Sequence, residues 1–164
     1  FSCEVSTDYN GIVVFSPTKL KKVLGRDVLD GEDLLSLFLS SNLGEDIIVS
    51  GAVLPVLAID DAGYDVEFEW EGSSRSDFIF ENGIFPLDAH DELYIADLVV
   101  LREWSERLGW QKIEIPKGYY AVTVKGFNEG PDENKDKCGY LFSMVKADSL
   151  PSWTSDIEAN SRVL

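Results

Sequence analysis

The single histidine of the chain, His90, lies between acidic residues in the segment DAHDE. A histidine held by a carboxylate can activate a nucleophile, so a hydrolase built on His90 and nearby carboxylates is one hypothesis. The sequence has no G-x-S-x-G, P-loop or G-x-G-x-x-G motif to support it. Zinc would need more ligands, but Cys3 and Cys138 are distant in sequence. We therefore predict a surface-loop histidine, no metal, no cofactor and no enzymatic activity.

The segment DENKDK resembles part of a calcium loop. Asp132, Asn134 and Asp136 have the spacing of the first half of a helix-loop-helix calcium site. That loop requires glycine at its sixth position and a bidentate glutamate at its twelfth, where this chain has Lys137 and Ser143. The sequence therefore predicts a solvated hairpin loop and no calcium site.

The segment YDVEFEWEG has an acidic residue at every second position. The acidic residues are Asp65, Glu67, Glu69 and Glu71, and those between them are Val66, Phe68 and Trp70. This is the period of a half-buried strand, so we expect the apolar side chains to face the core and the carboxylates to face water. Carboxylates spaced roughly 6.7 Å apart resemble a polyanion and could occupy the basic groove of a nuclease. An ordinary solvated strand face is the alternative interpretation.

Four tryptophans offer a second kind of site. Trp70 and Trp104 are in phase with apolar neighbours, so we expect both in the core. Trp110 and Trp153 are less constrained by their neighbours and are candidates for contact with a ligand or a partner. They keep open the alternative of a small-ligand or carbohydrate-binding β-domain.

The charge of the chain limits its partners. The 164 residues include 30 acids and 14 bases, a net charge of −16. Between residues 60 and 97 there are twelve acids, and Arg75 is the only base. Such a field repels nucleic acid and anionic membrane and attracts basic proteins. Two cysteines are too few to indicate an oxidising compartment; we expect a cytoplasmic protein and leave a periplasmic location open.

The N-terminal part of the sequence reads mostly as strands. Residues 5–7 and 11–16 predict a hairpin around the turn DYNG. A short helix is expected from Pro17 to Gly25, and a second helix after a cap at Asp30. The apolar residues 46–60 predict two strands, or one bulged strand with an edge position near Pro55.

The later segments extend this pattern. Residues 77–80 and 83–87 predict a strand pair around ENG, and a strand ending at Ile95 is followed by a helix that Gly109 stops. Two β-rich runs are joined by PKG, and residues 119–127 and 138–146 predict a second hairpin. We predict an α+β, mainly antiparallel fold, β-sandwich-like, with one or two covering helices. Residues 1–150 would form a single domain and 151–164 a C-terminal tail.

Two stretches resemble a known family. ENGI (residues 81–84) and IPKGYYAVTV (residues 115–124) are similar to the pattern of the competence-protein ComJ group, in which a Pro-Lys-Gly turn leads into a strand. That group comprises small β-rich bacterial inhibitors of a DNA-entry nuclease. The resemblance implies a β-sandwich-like fold and inhibition of a nuclease or toxin. It transfers no individual binding residue to this chain.

The functional hypothesis combines the charge and the resemblance. We expect a non-enzymatic inhibitor or immunity-type protein that binds a basic protein such as a nuclease or toxin. The expected partner-binding residues are Asp65, Glu67, Glu69, Glu71, Trp110 and Trp153.

Overall fold

The computed structural model describes residues 1–73, 75–130 and 137–164. The calcium-like triplet Asp132, Asn134 and Asp136 lies outside the described residues. Within them the chain forms nine strands and four helices. In chain order these are β1 (Ser2–Ser6), β2 (Gly11–Phe15), α1 (Pro17–Leu24), α2 (Leu34–Ser40), α3 (Leu43–Val49), β3 (Val53–Leu57), β4 (Gly63–Glu69), β5 (Phe80–Asp88), β6 (Leu93–Asp97), α4 (Val99–Arg102), β7 (Gln111–Ile113), β8 (Tyr119–Asn128) and β9 (Cys138–Ala147).

The strands form two sheets that share one hydrophobic core. The five-stranded sheet has the order β1-β4-β9-β8-β5, and the four-stranded sheet has the order β3-β2-β6-β7. All strand pairs are antiparallel except β4 and β9, which are parallel. The predicted α+β, mainly antiparallel fold is confirmed, with four helices in the described part of the chain instead of one or two.

Strand β2 shows how the layers are stacked, because all five of its residues are buried. Val53 and Pro55 of β3 face a groove formed with α2 and α3. Their register partners in β2, Phe15 and Val13, share that face. The alternate β2 residues therefore face the five-stranded sheet. The four-stranded sheet thus lies between the other sheet and the helices.

The first helix begins and ends where the sequence predicts. Ser16 caps it by accepting a hydrogen bond from the Lys19 backbone N–H at 3.2 Å, and Pro17 is its first residue. Gly25 ends it with a φ of 73°, a left-handed conformation that favours glycine. The predicted cap of α2 at Asp30 is wrong: Asp33 is the cap and accepts from the Ser36 N–H at 3.0 Å.

The prediction that residues 46–60 form two strands, or one bulged strand, is wrong for the first part of this segment. That part belongs to α3, because Glu45 and Asp46 lie in its favourable first turn while Ile47 and Ile48 are buried against the core. The predicted edge position near Pro55 is confirmed, since β3 is an edge strand and an edge tolerates a residue without an N–H donor.

The predicted N-terminal hairpin is also wrong, because β1 and β2 belong to different sheets. The connection between them is held by Thr7, whose hydroxyl donates to Asp97 Oδ1 at 2.9 Å and accepts from the Tyr9 and Gly11 N–H groups. These bonds satisfy backbone N–H groups in the segment that crosses from one sheet to the other.

Three further boundaries differ from the prediction, and one hairpin agrees with it. The ENG segment does not turn but lies inside the single strand β5. Helix α4 ends at Arg102, well before Gly109. The runs on either side of PKG enter different sheets as β7 and β8. The second predicted hairpin is confirmed, because β8 and β9 pair antiparallel.

Residues 151–164 form neither helix nor strand, but hydrogen bonds hold this segment against the sandwich. The Tyr140 hydroxyl donates to the Ser161 carbonyl at 2.7 Å, and the Asn128 side chain donates to the Val163 carbonyl at 2.8 Å. Ser161 and Val163 are buried. The cysteines Cys3 and Cys138 are free and half-buried.

Candidate partner-binding surface

Strand β4 carries the alternating acidic segment. Tyr64, Val66 and Phe68 are buried, as the period predicts, while Trp70 lies beyond the end of the strand and is half-buried. Of the four carboxylates only that of Glu71 belongs to an exposed residue. The other three residues are half-buried because β4 is an interior strand, flanked by β1 and β9. The predicted faces are correct, but full exposure of all four carboxylates is wrong.

The neighbouring strand adds a fifth carboxylate to this surface. Glu4 of β1 lies directly opposite Asp65 in the antiparallel register, so both side chains are on the outer side of the sheet. We call the set Glu4, Asp65, Glu67, Glu69 and Glu71 the acidic face. Sequence periodicity within β4 could not identify Glu4, because its position depends on which strand pairs with β4 and in what register.

One cation of the chain already occupies the centre of the acidic face. Arg75 Nη2 lies 2.8 Å from Glu67 Oε1, and its Nε donates to Glu67 Oε2 at 3.3 Å. The same guanidinium pairs with Glu129 and stacks 3.7 Å from the centroid of the Phe127 ring. The carboxylates raise the pKa of Arg75 against the opposing effect of burial. Glu67 is therefore neutralised within the chain.

The remaining four carboxylates of the acidic face differ from Glu67 in their ion pairing within the described part of the chain. Among the described residues, none forms an ion pair with Glu4, Asp65, Glu69 or Glu71. The next charge across the sheet is Lys125, which lies 3.5 Å from Glu81. On the β1–β4 side of the outer surface, Arg75 therefore pairs with one of five carboxylates, whereas on the β8–β5 side Lys125 pairs with Glu81.

The two candidate tryptophans lie in different environments. Trp110 packs into an aromatic cluster, with ring-centroid distances of 5.0 Å to Phe15, 4.9 Å to Trp104 and 5.3 Å to Tyr94. Its Nε1 is buried and has no hydrogen-bond partner in the described part of the chain. Trp153 lies on the apolar groove beside β3, and its N–H donates to Ser155 Oγ at 2.6 Å. Neither residue lies on β1 or β4.

His90 lies beside a buried carboxylate, as the hydrolase hypothesis requires. Its Nδ1 is 2.7 Å from Asp88 Oδ1, while Lys19 Nζ is 3.0 Å from Asp88 Oδ2. His90 also lines a cavity of about 280 Å³. In the described residues no hydroxyl or thiol forms a hydrogen bond with His90, so the dyad has no positioned nucleophile. The geometry supports a structural role for Asp88, which ties α1 to β5.

Asp88 provides a prediction of pH dependence. Burial alone would raise its pKa, but hydrogen bonds from His90 and Lys19 outweigh burial and hold the pKa below 3.8. A lowered folded-state pKa stabilises the fold above the unfolded value, and that stabilisation disappears as the pH falls through the folded value. Asp88→Asn should lose a hydrogen bond to a charged group and cost about 2 kcal/mol of unfolding free energy at pH 7. The cost should decrease in acid, as the Asp88 carboxylate of the wild type becomes protonated.

Urea denaturation of wild type and Asp88→Asn at neutral and acid pH measures this difference. Asp91→Asn removes a neighbouring carboxylate without a side-chain hydrogen bond in the described residues and should change stability by less than about 0.5 kcal/mol. A cost for Asp88→Asn that stays constant from pH 7 into acid would contradict the assignment, because it would reflect packing and not charge.

The described residues contain neither a cluster of metal-ligating side chains nor a helix suited to crossing a membrane. No group of three or more histidine, cysteine, aspartate or glutamate side chains is placed to hold a metal ion in residues 1–73, 75–130 and 137–164. None of the helices in these ranges has the length and apolar character that a membrane-crossing helix needs.

Comparison with known proteins supports the fold. No protein-family model matches the sequence, and no curated protein shows significant sequence similarity to it. Among solved structures, the chain resembles ComJ from Bacillus subtilis, an inhibitor of the DNA-degrading activity of NucA, with a TM-score of 0.51 and 14% identity over 90% of this chain and 96% of ComJ. A second structure, crocagin biosynthetic gene J, gives a TM-score of 0.47 and 10% identity over 89% of this chain and 94% of that chain.

The two short sequence stretches that resemble the ComJ group lie side by side in the structure. Residues 81–84 lie in β5, and residues 115–124 lead into β8, its antiparallel neighbour. The two stretches therefore form one continuous part of the five-stranded sheet. The resemblance to the ComJ group is confirmed at the level of the fold.

Proposed function

We propose that this chain is a non-enzymatic inhibitor or immunity-type protein that binds a basic protein, such as a nuclease or toxin, through its acidic face. Asp65, Glu67, Glu69 and Glu71 are the proposed contacts from β4, and Glu4 joins them from β1. The observation that carries the proposal is that Glu4 and Asp65 lie directly opposite each other without a neutralising cation in the described residues.

Two like charges at opposed positions of an antiparallel pair destabilise the sheet. A fold that needs only solubility can place its acids on loops or at staggered positions, where repulsion is weaker. The opposed pair therefore has a cost in stability that a basic partner would remove on binding. Complementary charge of this kind also accelerates association with a basic protein.

Arg75 illustrates the chemistry that the acidic face accepts. Its guanidinium binds between two carboxylates and against an aromatic ring on the outer surface of the sheet. A partner that presents arginine or lysine side chains would find similar carboxylates at Glu4, Asp65 and Glu69, which pair with no cation of the described residues.

The fold adds a second line of support. ComJ, which shares this architecture at low sequence identity, inhibits a DNA-degrading enzyme. A nuclease has a basic surface for the phosphates of its substrate, and a row of carboxylates is complementary to that surface. A nuclease is therefore the partner class that we propose first, with a toxin of similar charge as the second.

A small-ligand or carbohydrate-binding β-domain is the alternative function, and only Trp153 has a position that favours it. Trp153 lies on an open apolar groove. Trp110, in contrast, makes close ring contacts with three aromatic residues of the core region. Carbohydrate recognition requires several polar groups directed at the ligand, whereas the groove at Trp153 is lined almost entirely by apolar side chains.

The first test neutralises the unpaired carboxylates. Proteins captured from the source lysate at low salt would be eluted with rising salt, and the captured basic protein would be assayed for DNA degradation with and without this chain. The variant Glu4→Gln/Asp65→Asn/Glu69→Gln should associate with that protein about tenfold more slowly, with a smaller salt dependence. Its free energy of unfolding should stay the same or rise by a few tenths of a kcal/mol, because the repulsion between Glu4 and Asp65 is removed.

A matched variant separates the acidic face from net charge. Asp27→Asn/Asp30→Asn/Glu103→Gln removes the same number of charges from exposed residues in loops beside the helices. This control should retain at least half of the wild-type association rate. Equal losses of association rate for the two triple variants would show that only total charge matters. An unchanged rate for Glu4→Gln/Asp65→Asn/Glu69→Gln would show that the acidic face does not contribute to binding.

A further inference from the structure

An open apolar groove lies on the opposite side of the four-stranded sheet from the acidic face. Its volume is about 320 Å³. The walls come from α2 and α3, from the edge strand β3, from Leu98 and Leu101, and from Trp153 and Ile157 of the C-terminal segment. The groove is therefore formed by elements that are far apart in sequence but fixed to the same core.

The groove leaves apolar surface in contact with water. Leu39, one of its lining residues, is 81% exposed, although Phe38 beside it is buried. Helix α2 could have placed a polar residue at this position without loss of packing. Contiguous exposed apolar surface of this kind marks sites at which another molecule binds.

The charges around the groove define the chemistry of its occupant. Glu45 is the only ionisable residue among the described residues that line it. Asp46 follows Glu45 in α3, and Asp156 and Glu158 flank the lining residue Ile157 in sequence; all three are exposed. The Asp156 carboxylate is held in place by the Glu158 backbone N–H at 2.9 Å. The ionisable residues that line the groove or adjoin its lining in α3 and the C-terminal segment are thus acidic.

We infer that this groove binds a segment of a protein partner that is apolar on one face and carries lysine or arginine beside that face. The apolar side chains would contact Leu39 and Trp153, and the cations would pair with Glu45 and with Asp156 or Glu158. An anionic lipid or an acidic peptide would be repelled by the same carboxylates. The site goes beyond the proposed inhibitory surface, because it shares no residue with the acidic face.

The recognition mode that fits this geometry is an amphipathic helix in an apolar groove. In such complexes apolar residues at helical spacing supply most of the affinity, and charged residues at the rim set the specificity. Leu39 should therefore control the affinity for the segment. Glu45 should control its dependence on salt.

The test uses a fluorescently labelled synthetic peptide of leucine and lysine with its leucines at helical spacing. Fluorescence polarisation should show saturable binding to the full chain. Leu39→Gln should weaken binding at least tenfold, because a buried leucine contact is lost. Glu45→Gln should weaken it about threefold at low salt, with no difference at high salt.

Three controls match these variants. Leu108→Gln replaces a leucine that is 72% exposed but does not line the groove, and it should bind like wild type. A peptide of the same composition in scrambled order should bind at least tenfold more weakly, and a leucine–glutamate peptide should not bind. The Glu4→Gln/Asp65→Asn/Glu69→Gln variant should bind the peptide with at least half of the wild-type affinity. Peptide binding at the groove and inhibition through the acidic face can therefore each fail without the other.

Four results would overturn the inference. Equal binding of the scrambled peptide would indicate charge attraction alone, and equal effects of Leu39→Gln and Leu108→Gln would remove the groove from the interaction. A concentration-dependent dimer that Leu39→Gln dissociates, measured by sedimentation, would make a second copy of this chain the occupant. Binding of a neutral alkyl glycoside at Trp153, measured by fluorescence, without peptide binding would make the occupant a small ligand.

Discussion

Replacing Gly139 with alanine is expected to destroy the five-stranded sheet, with a loss of more than about 4 kcal/mol of unfolding free energy. Gly139 of β9 lies opposite Asp65 in the parallel pair of β9 with β4. A Cβ at this position would lie 1.7 Å from the Asp65 carbonyl oxygen and 2.7 Å from its carbonyl carbon. Backbone atoms cannot move aside as a flexible side chain can, so the two strands would have to separate.

Urea denaturation followed by circular dichroism measures this effect. Gly63→Ala is the matched control in the same sheet, because its added Cβ would meet only the Ser6 hydroxyl at 3.4 Å, an ordinary contact. We expect Gly63→Ala to fold, with a change of less than about 1 kcal/mol. A Gly139→Ala protein with wild-type stability would show that β4 and β9 are not paired in this register.

The parallel pair also explains how much of the acidic face could be predicted from the sequence. Alternation within residues 64–71 identified the strand and its two faces, since the period of a strand depends only on local geometry. The pairing of β4 with β1 on one side and β9 on the other depends on contacts distant in sequence. The opposition of Glu4 and Asp65 follows from that pairing. The neutralisation of Glu67 by Arg75 depends instead on how the loop after β4 folds back, and neither feature could be predicted.

Local signals predicted both ends of α1 correctly, but they predicted the start of α2, the end of α4 and the connections poorly. Ser16, Pro17 and Gly25 define α1 because capping and the left-handed conformation of glycine act within a few residues. The turn DYNG, in contrast, was read as a hairpin. Its residues are equally suited to a crossover between sheets. The crossover is stabilised by a hydrogen bond from the Thr7 hydroxyl to Asp97, which lies ninety positions further along the chain.

The apolar segment 46–60 also shows that a local pattern can be compatible with more than one structure. A short apolar run is compatible with a buried helix as well as a strand, because both hide all of its side chains when two layers enclose it. Here Gly51, with a φ of 74°, separates the helix α3 from the strand β3. The groove proposed to bind an amphipathic segment lies at this helix–strand junction and therefore had no counterpart in the sequence prediction.

The aromatic cluster leads to the second large prediction: Trp104→Ala should cost about 4 kcal/mol of unfolding free energy. Trp104 is only 1% exposed and packs edge-on against Phe15, with ring centroids 6.0 Å apart. Its indole N–H donates to Glu106 at 3.0 Å, and its backbone carbonyl accepts from the Gly31 N–H at 2.7 Å. Truncation would leave a large cavity between the four-stranded sheet and the loop that precedes α2.

Trp110→Phe provides the contrast within the same cluster. The Trp110 N–H is buried and lacks a partner in the described residues, so phenylalanine keeps most of the packing and removes an unsatisfied donor. We expect its unfolding free energy to differ from wild type by less than about 1 kcal/mol, whereas Trp104→Phe should lose about 2 kcal/mol because a satisfied hydrogen bond and ring volume disappear together. Urea denaturation at neutral pH compares the three variants. If Trp110→Phe were the costlier of the two phenylalanine substitutions, the Trp110 N–H would have a bound partner, and Trp110 would return as a candidate ligand contact.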